Sequence, residues 1–290
     1  MIAQRTGPLL RGAAWERERE GRPVSAAWDE PAWQALAAEL DAQRAEGRTA
    51  TFWWRDDDAG RPDPALDRLL ALATRTALPL GLAVVPAWLA PEVAARLEAS
   101  PTAVAVLQHG FAHVNHETTP PPGIRKIRPA ECGGARPPDL ALAEIRHGRE
   151  RLGALGPRVL PVFVPPWNRI APTVLQALPA LGCRAVSAFG PRAAAEPVPG
   201  LARLNCHVDP IVWRESRRFV GASATLERLR AHLVARHEGC ADPDEPIGLL
   251  THHRDLDVDF WAFLEQLLDR LRAHPAVRFP PLPTLLDASA

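Results

Sequence analysis

The sequence predicts an α/β protein whose core is a closed or nearly closed barrel of seven parallel strands. Short apolar runs alternate with helical patterns along most of the chain, which is typical of βα units. The apolar runs are nearly continuous, as expected for strands that are covered on both faces. A length of 290 residues suits a single domain of this kind. An open, doubly wound sheet is the alternative, although no glycine-rich phosphate loop follows the first strand.

The first 48 residues are expected to form an N-terminal arm and an amphipathic helix, ahead of a barrel over residues 49–290. Residues 1–28 are charged and show little periodicity. Residues 30–46 place Trp33 and three further apolar residues at helical spacing. This pattern predicts a helical extension whose apolar face packs on the larger body.

Seven apolar runs predict the strands of the barrel. They lie at residues 50–55, 80–85, 103–108, 159–164, 183–188, 201–206 and 247–251. Helical patterns occupy residues 65–77, 91–99, 139–155, 171–181, 223–237 and 258–274. Residues 117–138, rich in Pro, Gly and Arg, break the alternation, and a loop of this length next to several histidines favours a lid.

The most informative stretch is residues 49–60, where a short apolar strand ends in three consecutive carboxylates. Asp56, Asp57 and Asp58 repel one another unless a cation, a hydrogen-bond donor or a shared proton lies among them. A solvated loop that caps the next helix is the alternative, because Asp suits an N-cap and Pro64 a first helical turn. Complementary ligands elsewhere in the chain would favour a functional site.

Polar side chains recur at the carboxyl ends of the other predicted strands. They are His109, His113 and His116 after the third strand, Trp167, Asn168 and Arg169 after the fourth, Asp209 and Trp213 after the sixth, and His252, His253 and Asp255 after the seventh. In a parallel barrel these ends share one rim, where the active sites of such folds are assembled. The opposite strand ends contain no histidine.

A metal site is the chemistry that this rim favours. His109 and His113 are four residues apart, so one helical turn would place both imidazoles on one face. Two histidines and one carboxylate form a common open zinc site, which leaves positions for water and substrate. The aspartate run can supply the carboxylate. His116 is either a third ligand or a residue that supports the ligands or contacts the substrate.

Composition excludes several other classes of protein. The 34 basic and 34 acidic residues cancel, so we expect no nucleic-acid partner. No apolar run of signal-peptide length precedes the first charges, and none is long enough to span a bilayer, so a cytoplasmic protein is expected. Four scattered cysteines without a CxxC pair indicate neither a disulfide scaffold nor a cysteine zinc site.

Together these motifs resemble the polysaccharide deacetylase superfamily, also called the NodB-homology family or carbohydrate esterase family 4. The shared features are an Asp pair on the first strand, an HxxxH after the third, a Pro-rich segment with Arg after the fourth, an Asp–Trp element, and a His after a late Leu-rich strand. The resemblance covers roughly residues 49–255. It implies a distorted seven-stranded (β/α) barrel and a mononuclear metal bound by one Asp and two His.

The resemblance also implies roles for the ligands and the base. Asp57 matches the catalytic base and Asp58 the metal ligand, with Asp56 and Asp57 as the alternative register. His109 and His113 match the two histidine ligands. The residue after the first histidine is Gly110, where the family usually has Ser or Thr, so a side-chain hydroxyl is missing.

The remaining motifs match less closely. Arg169 follows the proline pair, whereas the family's arginine precedes it, so Trp167 or Asn168 is an alternative residue of the sugar pocket. Asp209 and Trp213 resemble the fourth motif. His252 matches the general acid of the fifth motif, with His253 as its competitor.

The activity that the resemblance implies is metal-dependent removal of an N- or O-linked acetyl group from a sugar or glycan precursor. The cofactor would be one divalent metal, zinc in the first place, with cobalt, iron or nickel as alternatives. Two other functions stay open: a non-catalytic sugar-binding protein that retains the barrel, and a metal amidohydrolase that acts on a small cyclic amide. The sequence identifies neither the sugar nor the oligomeric state.

Overall fold

The computed structural model describes residues 30–101, 103–120, 123, 125–214 and 216–287. The strands in this part are β1 (Ala50–Ala59), β2 (Leu80–Val84), β3 (Val104–His109), β4 (Val159–Val164), β5 (Ala185–Val186), β6 (Ala202–Arg203), β7 (Ile247–Thr251) and β8 (Val277–Arg278). The helices are α1 (Glu30–Ala45), α2 (Pro64–Thr76), α3 (Pro91–Ala99), α4 (Pro138–Gly153), α5 (Pro172–Ala177), α6 (Ala222–His237), α7 (Val258–Ala273) and α8 (Leu282–Asp287). The alternation of strands and helices is the one that the sequence predicts.

The sheet is parallel and curls into a distorted barrel. Its strand order is β6-β5-β4-β3-β2-β1-β7, and β8 pairs with the first residues of β1. Beyond β6, Val208 bridges to Leu249 of β7, and the amide of Leu250 donates to the carbonyl of Val208 at 2.9 Å. This contact joins the two ends of the sheet, so the predicted barrel is confirmed.

Two apolar layers line the two faces of the sheet because successive side chains of a strand point to opposite faces. Trp53 belongs to the cluster inside the barrel, together with Leu107, and Trp54 belongs to the cluster between the sheet and the helices. The short helix α8 places Leu282 and Leu285 in the inner cluster, where Leu282 packs against Gly81 of β2. Leucine side chains of this C-terminal helix therefore complete the apolar interior of the barrel.

The predicted N-terminal helix is present as α1, which packs against α6. Trp33 is buried in the outer cluster, and the side-chain amide of Gln43 donates to the carbonyl of Leu233 at 3.3 Å. The predicted arm over residues 1–28 lies outside the described residues. The division of the chain at residue 48 stays a prediction.

The structure differs from the predicted elements at three places. β1 runs through the aspartate triplet to Ala59, and Asp56 lies in register with Thr251 of β7. β5 and β6 are only two residues long, and the side chain of Asn205 bonds to the backbone of the segment after β5 beside the remaining backbone bonds. β8 and α8 were not predicted, since each is too short to show a period. Among the described residues, no helix combines the length and apolarity needed to cross a bilayer.

Candidate metal centre and its surroundings

The three consecutive aspartates of β1 contact three different sets of partners because the strand bulges between them. The register between β1 and β2 shifts between Asp56 and Ala59, and Asp58 adopts a left-handed φ of 68°. Strand alternation places Asp57 on the inner face with Arg55 and Asp56 on the outer face. Without the bulge, Asp58 would share the face of Asp56. The bulge instead turns its carboxylate toward the end of β3.

Asp58, His109 and His113 converge on one point, and we call this group the Asp58 corner. The Oδ1 atom of Asp58 lies 3.3 Å from Nε2 of His109 and 3.2 Å from Nε2 of His113. One ligand atom from each residue lies within 4.8 Å of the others. Asp58 Oδ1 is buried and receives no regular hydrogen bond from the described residues. A carboxylate oxygen and two imidazole nitrogens, arranged in this way, fit a divalent cation.

The hydrogen bond of the His109 ring is consistent with this fit. His109 Nδ1 lies 3.0 Å from the carbonyl of Val164, and this bond fixes the tautomer that leaves Nε2 free to ligate. Burial and the neighbouring charge of His109 lower the pKa of His113. Although burial opposes it, the carboxylates of Asp57 and Asp58 raise the pKa of His109.

The segment between the two histidines is a loop, so the imidazoles converge without the helical turn that would place them on one face. His113 has a φ of 56°, and Gly110 a φ of 54°. A buried carboxylate, Glu131, holds this loop by accepting three successive backbone amides: Phe111 at 3.2 Å, Ala112 at 2.7 Å and His113 at 3.2 Å. A Cβ at position 110 would lie 2.0 Å from Glu131 Oε2. The clamp by Glu131 therefore requires glycine at position 110.

Asp57 is held by an arginine from its own strand. Arg55 Nε lies 2.9 Å from Asp57 Oδ1, and Nη2 donates to Oδ2 at 3.0 Å. Both side chains are buried. Arg55 is itself fixed by Ser187 Oγ at 2.6 Å and by Asn168 Oδ1 at 2.7 Å. The fork holds the Asp57 carboxylate in one orientation beside the Asp58 corner.

His252 approaches Asp57 from β7, with Nε2 at 3.9 Å from Oδ2. Its ring lies edge-on to Trp213, with the centroids 4.5 Å apart. Two further carboxylates of this rim, Asp209 and Asp255, bond to other partners. Asp209 accepts from Trp213 Nε1 at 2.6 Å, and Asp255 pairs with Arg217 at 3.0 Å. Among the described residues, Asp57 is therefore the carboxylate that lies within ion-pair distance of the His252 ring.

Asp56 forms a separate, fully buried group with Thr251 and His253, and we call it the Asp56 corner. Its Oδ2 accepts from Thr251 Oγ1 at 2.6 Å and from the amide of His253 at 3.0 Å. Its Oδ1 bonds to Nδ1 of His253. Although burial opposes it, the Asp56 carboxylate raises the pKa of His253. Both residues are almost completely buried, so neither is placed to contact a sugar, and Nε2 of His253 has no hydrogen-bond partner among the described residues.

The loop after β4 contributes three predicted site residues in different ways. Trp167 and Asn168 have successive positive φ values of 55° and 56°, which brings the ring of Trp167 to 4.3 Å from His113. Arg169 donates to the carbonyl of Pro129 at 2.8 Å. His116 is not part of the Asp58 corner, and its amide donates to the carbonyl of Ala130 at 3.0 Å.

Two residues that shape the site were missed in the sequence. Arg55 could have been found, because its spacing of two from Asp57 places both side chains on one face of a strand. Glu131 carried no signal, since it lies in the irregular segment predicted as a lid. In that segment Ala130, Glu131 and Cys132 are buried, and Cys132 bridges to Ile170. This half of the segment is a fixed wall of the site, and the lid prediction is wrong for it.

Comparison with solved structures places the fold. A candidate polysaccharide deacetylase from Mycobacterium smegmatis superposes with a TM-score of 0.59 at 15% identity, over 84% of this chain and 91% of that one. A family 4 carbohydrate esterase from Streptomyces lividans in complex with acetate gives 0.50 at 14% identity, over 80% and 94%. A mutant of a family 4 pseudoenzyme gives 0.52 at 13% identity, over 83% and 68%.

A second mutant of that pseudoenzyme, described as having restored enzymatic activity, gives the same TM-score of 0.52. The sequence itself matches no family model, and it matches no curated protein. At these identities the likeness shows the fold alone. The fold is that of the polysaccharide deacetylases, as the motif resemblance implies, and the chemistry must be argued from the residues.

Proposed function

We propose that this protein, which has the polysaccharide deacetylase fold, is a metal-dependent hydrolase that removes an acetyl group from a sugar or glycan precursor. The observation that carries the proposal is the convergence of Asp58, His109 and His113 beside a fixed carboxylate, Asp57, and a buried imidazole, His252. Both N- and O-linked acetyl groups are compatible with this arrangement. Zinc is the first choice of cation, with cobalt, iron and nickel as alternatives.

Asp58, His109 and His113 would hold a divalent cation, which would supply Lewis-acid polarisation of the acetyl carbonyl and of a water molecule. The corner leaves one side open, since Asp58 and His113 are partly exposed whereas His109 is buried. The bond from His109 to the carbonyl of Val164 and the clamp from Glu131 fix the ligands before anything binds.

Asp57 takes a proton from the attacking water, as general-base catalysis requires. The Arg55 fork orients its carboxylate and leaves the face toward His252 available. His252 then donates a proton to the departing amine or alkoxide of the sugar. Trp213 packs edge-on against the His252 ring and keeps it in place. A base and an acid with opposed protonation states predict a bell-shaped dependence of rate on pH.

Two aromatic rings support a sugar as substrate. Trp167 lies against His113, and Trp213 is 37% exposed beside His252. Both rings therefore flank the open side of the Asp58 corner, where a sugar ring could stack on an aromatic face. These two rings favour a substrate with a sugar ring, either a single sugar or a larger glycan precursor.

The test is acetate release from a panel of acetylated sugars by the metal-loaded protein and its Asp57→Asn and His252→Gln variants. We expect each variant to lose about 10²–10⁴-fold in kcat while it keeps its metal content. Asp269→Asn, an exposed carboxylate on α7, is the matched control and should leave the rate unchanged. Equal rates in Asp57→Asn and the parent protein would contradict the assignment.

A non-catalytic sugar-binding protein is the competing function, and the pseudoenzyme with the same fold gives it a specific basis. It predicts binding of metal and sugar without acetate release under any condition tested. A metal amidohydrolase predicts turnover of small cyclic amides and none of acetylated sugars.

A further inference from the structure

A cavity of about 370 Å³ lies among the segments that follow β4, β5 and β6. This volume falls within the range of small-molecule pockets, about 300–1,000 Å³. Its polar lining comes from Asn168, Arg169, Arg203 and Asn205, and Phe189 adds an exposed aromatic ring. The cavity thus lies on the same rim as the Asp58 corner and is built from different residues.

The cavity is linked to the reacting groups through one residue. Asn168 lines the cavity, and its Oδ1 accepts the bond from Arg55, which in turn holds Asp57. The preceding residue, Trp167, contacts the ring of His113. A ligand that reaches the Asp58 corner with its acetyl group can therefore extend past Trp167 and Asn168 into the cavity.

The charges around the cavity are all of one sign. Two arginines and no carboxylate are present among the described residues that line it. Arg169 bonds to the carbonyl of Pro129, whereas Arg136 and Arg192 elsewhere in the chain are paired with Glu144 and Asp242. No ion pair joins Arg169 to a carboxylate among the described residues.

Further cations lie beside Arg169. Burial and the charges of Arg128 and Arg214 lower the pKa of Arg169. Like charges gathered in this way repel one another unless an anion is bound among them. A cavity that is lined by arginines and by no carboxylate is suited to an anionic ligand.

The walls of the cavity are built before a ligand arrives. Asn205 uses both ends of its amide: Oδ1 accepts from the amide of Ala188 at 2.9 Å, and Nδ2 donates to the carbonyl of Gly190 at 2.8 Å. These bonds fix the segment that carries Phe189, whose ring is 45% exposed. An aromatic face and two guanidinium groups together suit a sugar that carries a negative charge.

We propose that the cavity is a subsite for an anionic group, phosphoryl or carboxylate, carried by the acetylated sugar and bound by Arg169 and Arg203. A guanidinium matches the geometry of either oxyanion through two parallel hydrogen bonds. That the ligand is an acetylated sugar rests on the proposed deacetylase function. That the cavity binds an anion rests on the residues of the cavity alone. It makes the substrate a charged sugar derivative in preference to a neutral polysaccharide.

The first measurement is binding of inorganic phosphate to the metal-loaded protein by calorimetry. Arg169→Gln should weaken binding about tenfold to a hundredfold, because a hydrogen bond to a charged group is lost. Arg184→Gln, an exposed arginine paired with Asp287 at the other end of β5, is the matched control and should leave binding unchanged. Phosphate that binds the Arg169→Gln variant as tightly as the parent protein would overturn the subsite.

The second measurement compares acetate release from an N-acetylhexosamine, its 1-phosphate, and an N-acetylhexosamine that bears a carboxylate. We expect KM for one charged substrate to be at least tenfold lower than for the neutral one, and this advantage to disappear in Arg169→Gln. The substrate that gains more identifies the anion as phosphoryl or carboxylate. Equal KM values for all three overturn the proposal while the deacetylase function stands. Phosphate binding that depends on Arg169, without any acetate release, supports the subsite and contradicts the function.

Discussion

The Asp56 corner and the Asp58 corner each combine an aspartate of β1 with histidine side chains, but the two carboxylates differ in burial and in the donors around them. Asp56 is fully buried and receives bonds from a hydroxyl, a backbone amide and an imidazole. Asp58 is partly exposed, and the atoms around its Oδ1 are the Nε2 atoms of two imidazoles. The first carboxylate accepts three hydrogen bonds, whereas Oδ1 of the second accepts no regular hydrogen bond from the described residues.

The difference teaches that the number and kind of donors separate a structural carboxylate from a ligand, whereas position in the chain does not. Removal of one partner from a buried ion pair lowers the stability of the fold, because the other charge is left buried without a partner. Two imidazoles and a carboxylate without donors gain their stability from a cation. One bulge in β1, between Asp56 and Ala59, produces both outcomes.

Asp58→Asn should show the largest effect. We expect the variant to lose its bound metal, and acetate release to fall at least about 10³-fold, since a cation contributes several kcal/mol to the transition state. The metal content by elemental analysis is the direct measurement. If Asp57 were the ligand instead, as in the alternative register of the triplet, Asp58→Asn would keep its metal and Asp57→Asn would lose it.

Asp56→Asn should show the reverse pattern. Breaking a buried ion pair by removal of one partner costs about 3–5 kcal/mol of unfolding free energy, measured by urea denaturation. The folded fraction should retain the metal content of the parent protein. A loss below about 1 kcal/mol would mean that the Asp56 corner is not what holds β7 against β1.

The pH dependence sharpens this prediction. Because the pKa of His253 is raised in the folded protein, its contribution to stability is present below the ordinary pKa of about 6.5 and is lost as pH rises through the folded value. The stability difference between the parent protein and Asp56→Asn should therefore be larger at about pH 6.5 than in alkaline solution. A difference that grows with pH would mean that His253 is neutral when folded.

Glu131→Gln should show the smallest of these effects. The amide cannot accept at both of its heteroatoms, so at least one of the three backbone amides of the loop loses its partner. We expect metal affinity to weaken about 10–100-fold, as for other residues that orient ligands. Glu144→Gln, which removes the partner of Arg136, is the control. Unchanged affinity would show that the loop is rigid without the clamp.

The parts of the molecule that follow a local rule were predictable from the sequence. The buried strands at Leu80–Val84 and Ile247–Thr251 are continuous apolar runs, and the structure has them within one residue of the prediction. The structure also brings together Asp58, His109 and His113, which spacing and the motif resemblance had put forward. Their roles as ligands stay a prediction until metal is measured.

The parts that depend on distant contacts were not predictable. Three backbone amides after His109 bond to Glu131, which lies 18 to 20 residues away in an irregular segment. No periodicity marks such a residue. Asp56 and Asp58 are indistinguishable in the sequence, because the bulge that separates their side chains follows from the pairing of β1 with β2.

The fork between Arg55 and Asp57 has a consequence for how this protein can diversify. Both partners belong to one strand, so the carboxylate is restrained by β1 itself. The loop after β4 adds only one supporting bond, from Asn168 to Arg55. Substitutions and insertions in that loop can then alter which molecules are accepted without disturbing the reacting carboxylate. Natural variants and laboratory libraries should accordingly tolerate exchange at Arg169 far more readily than at Arg55.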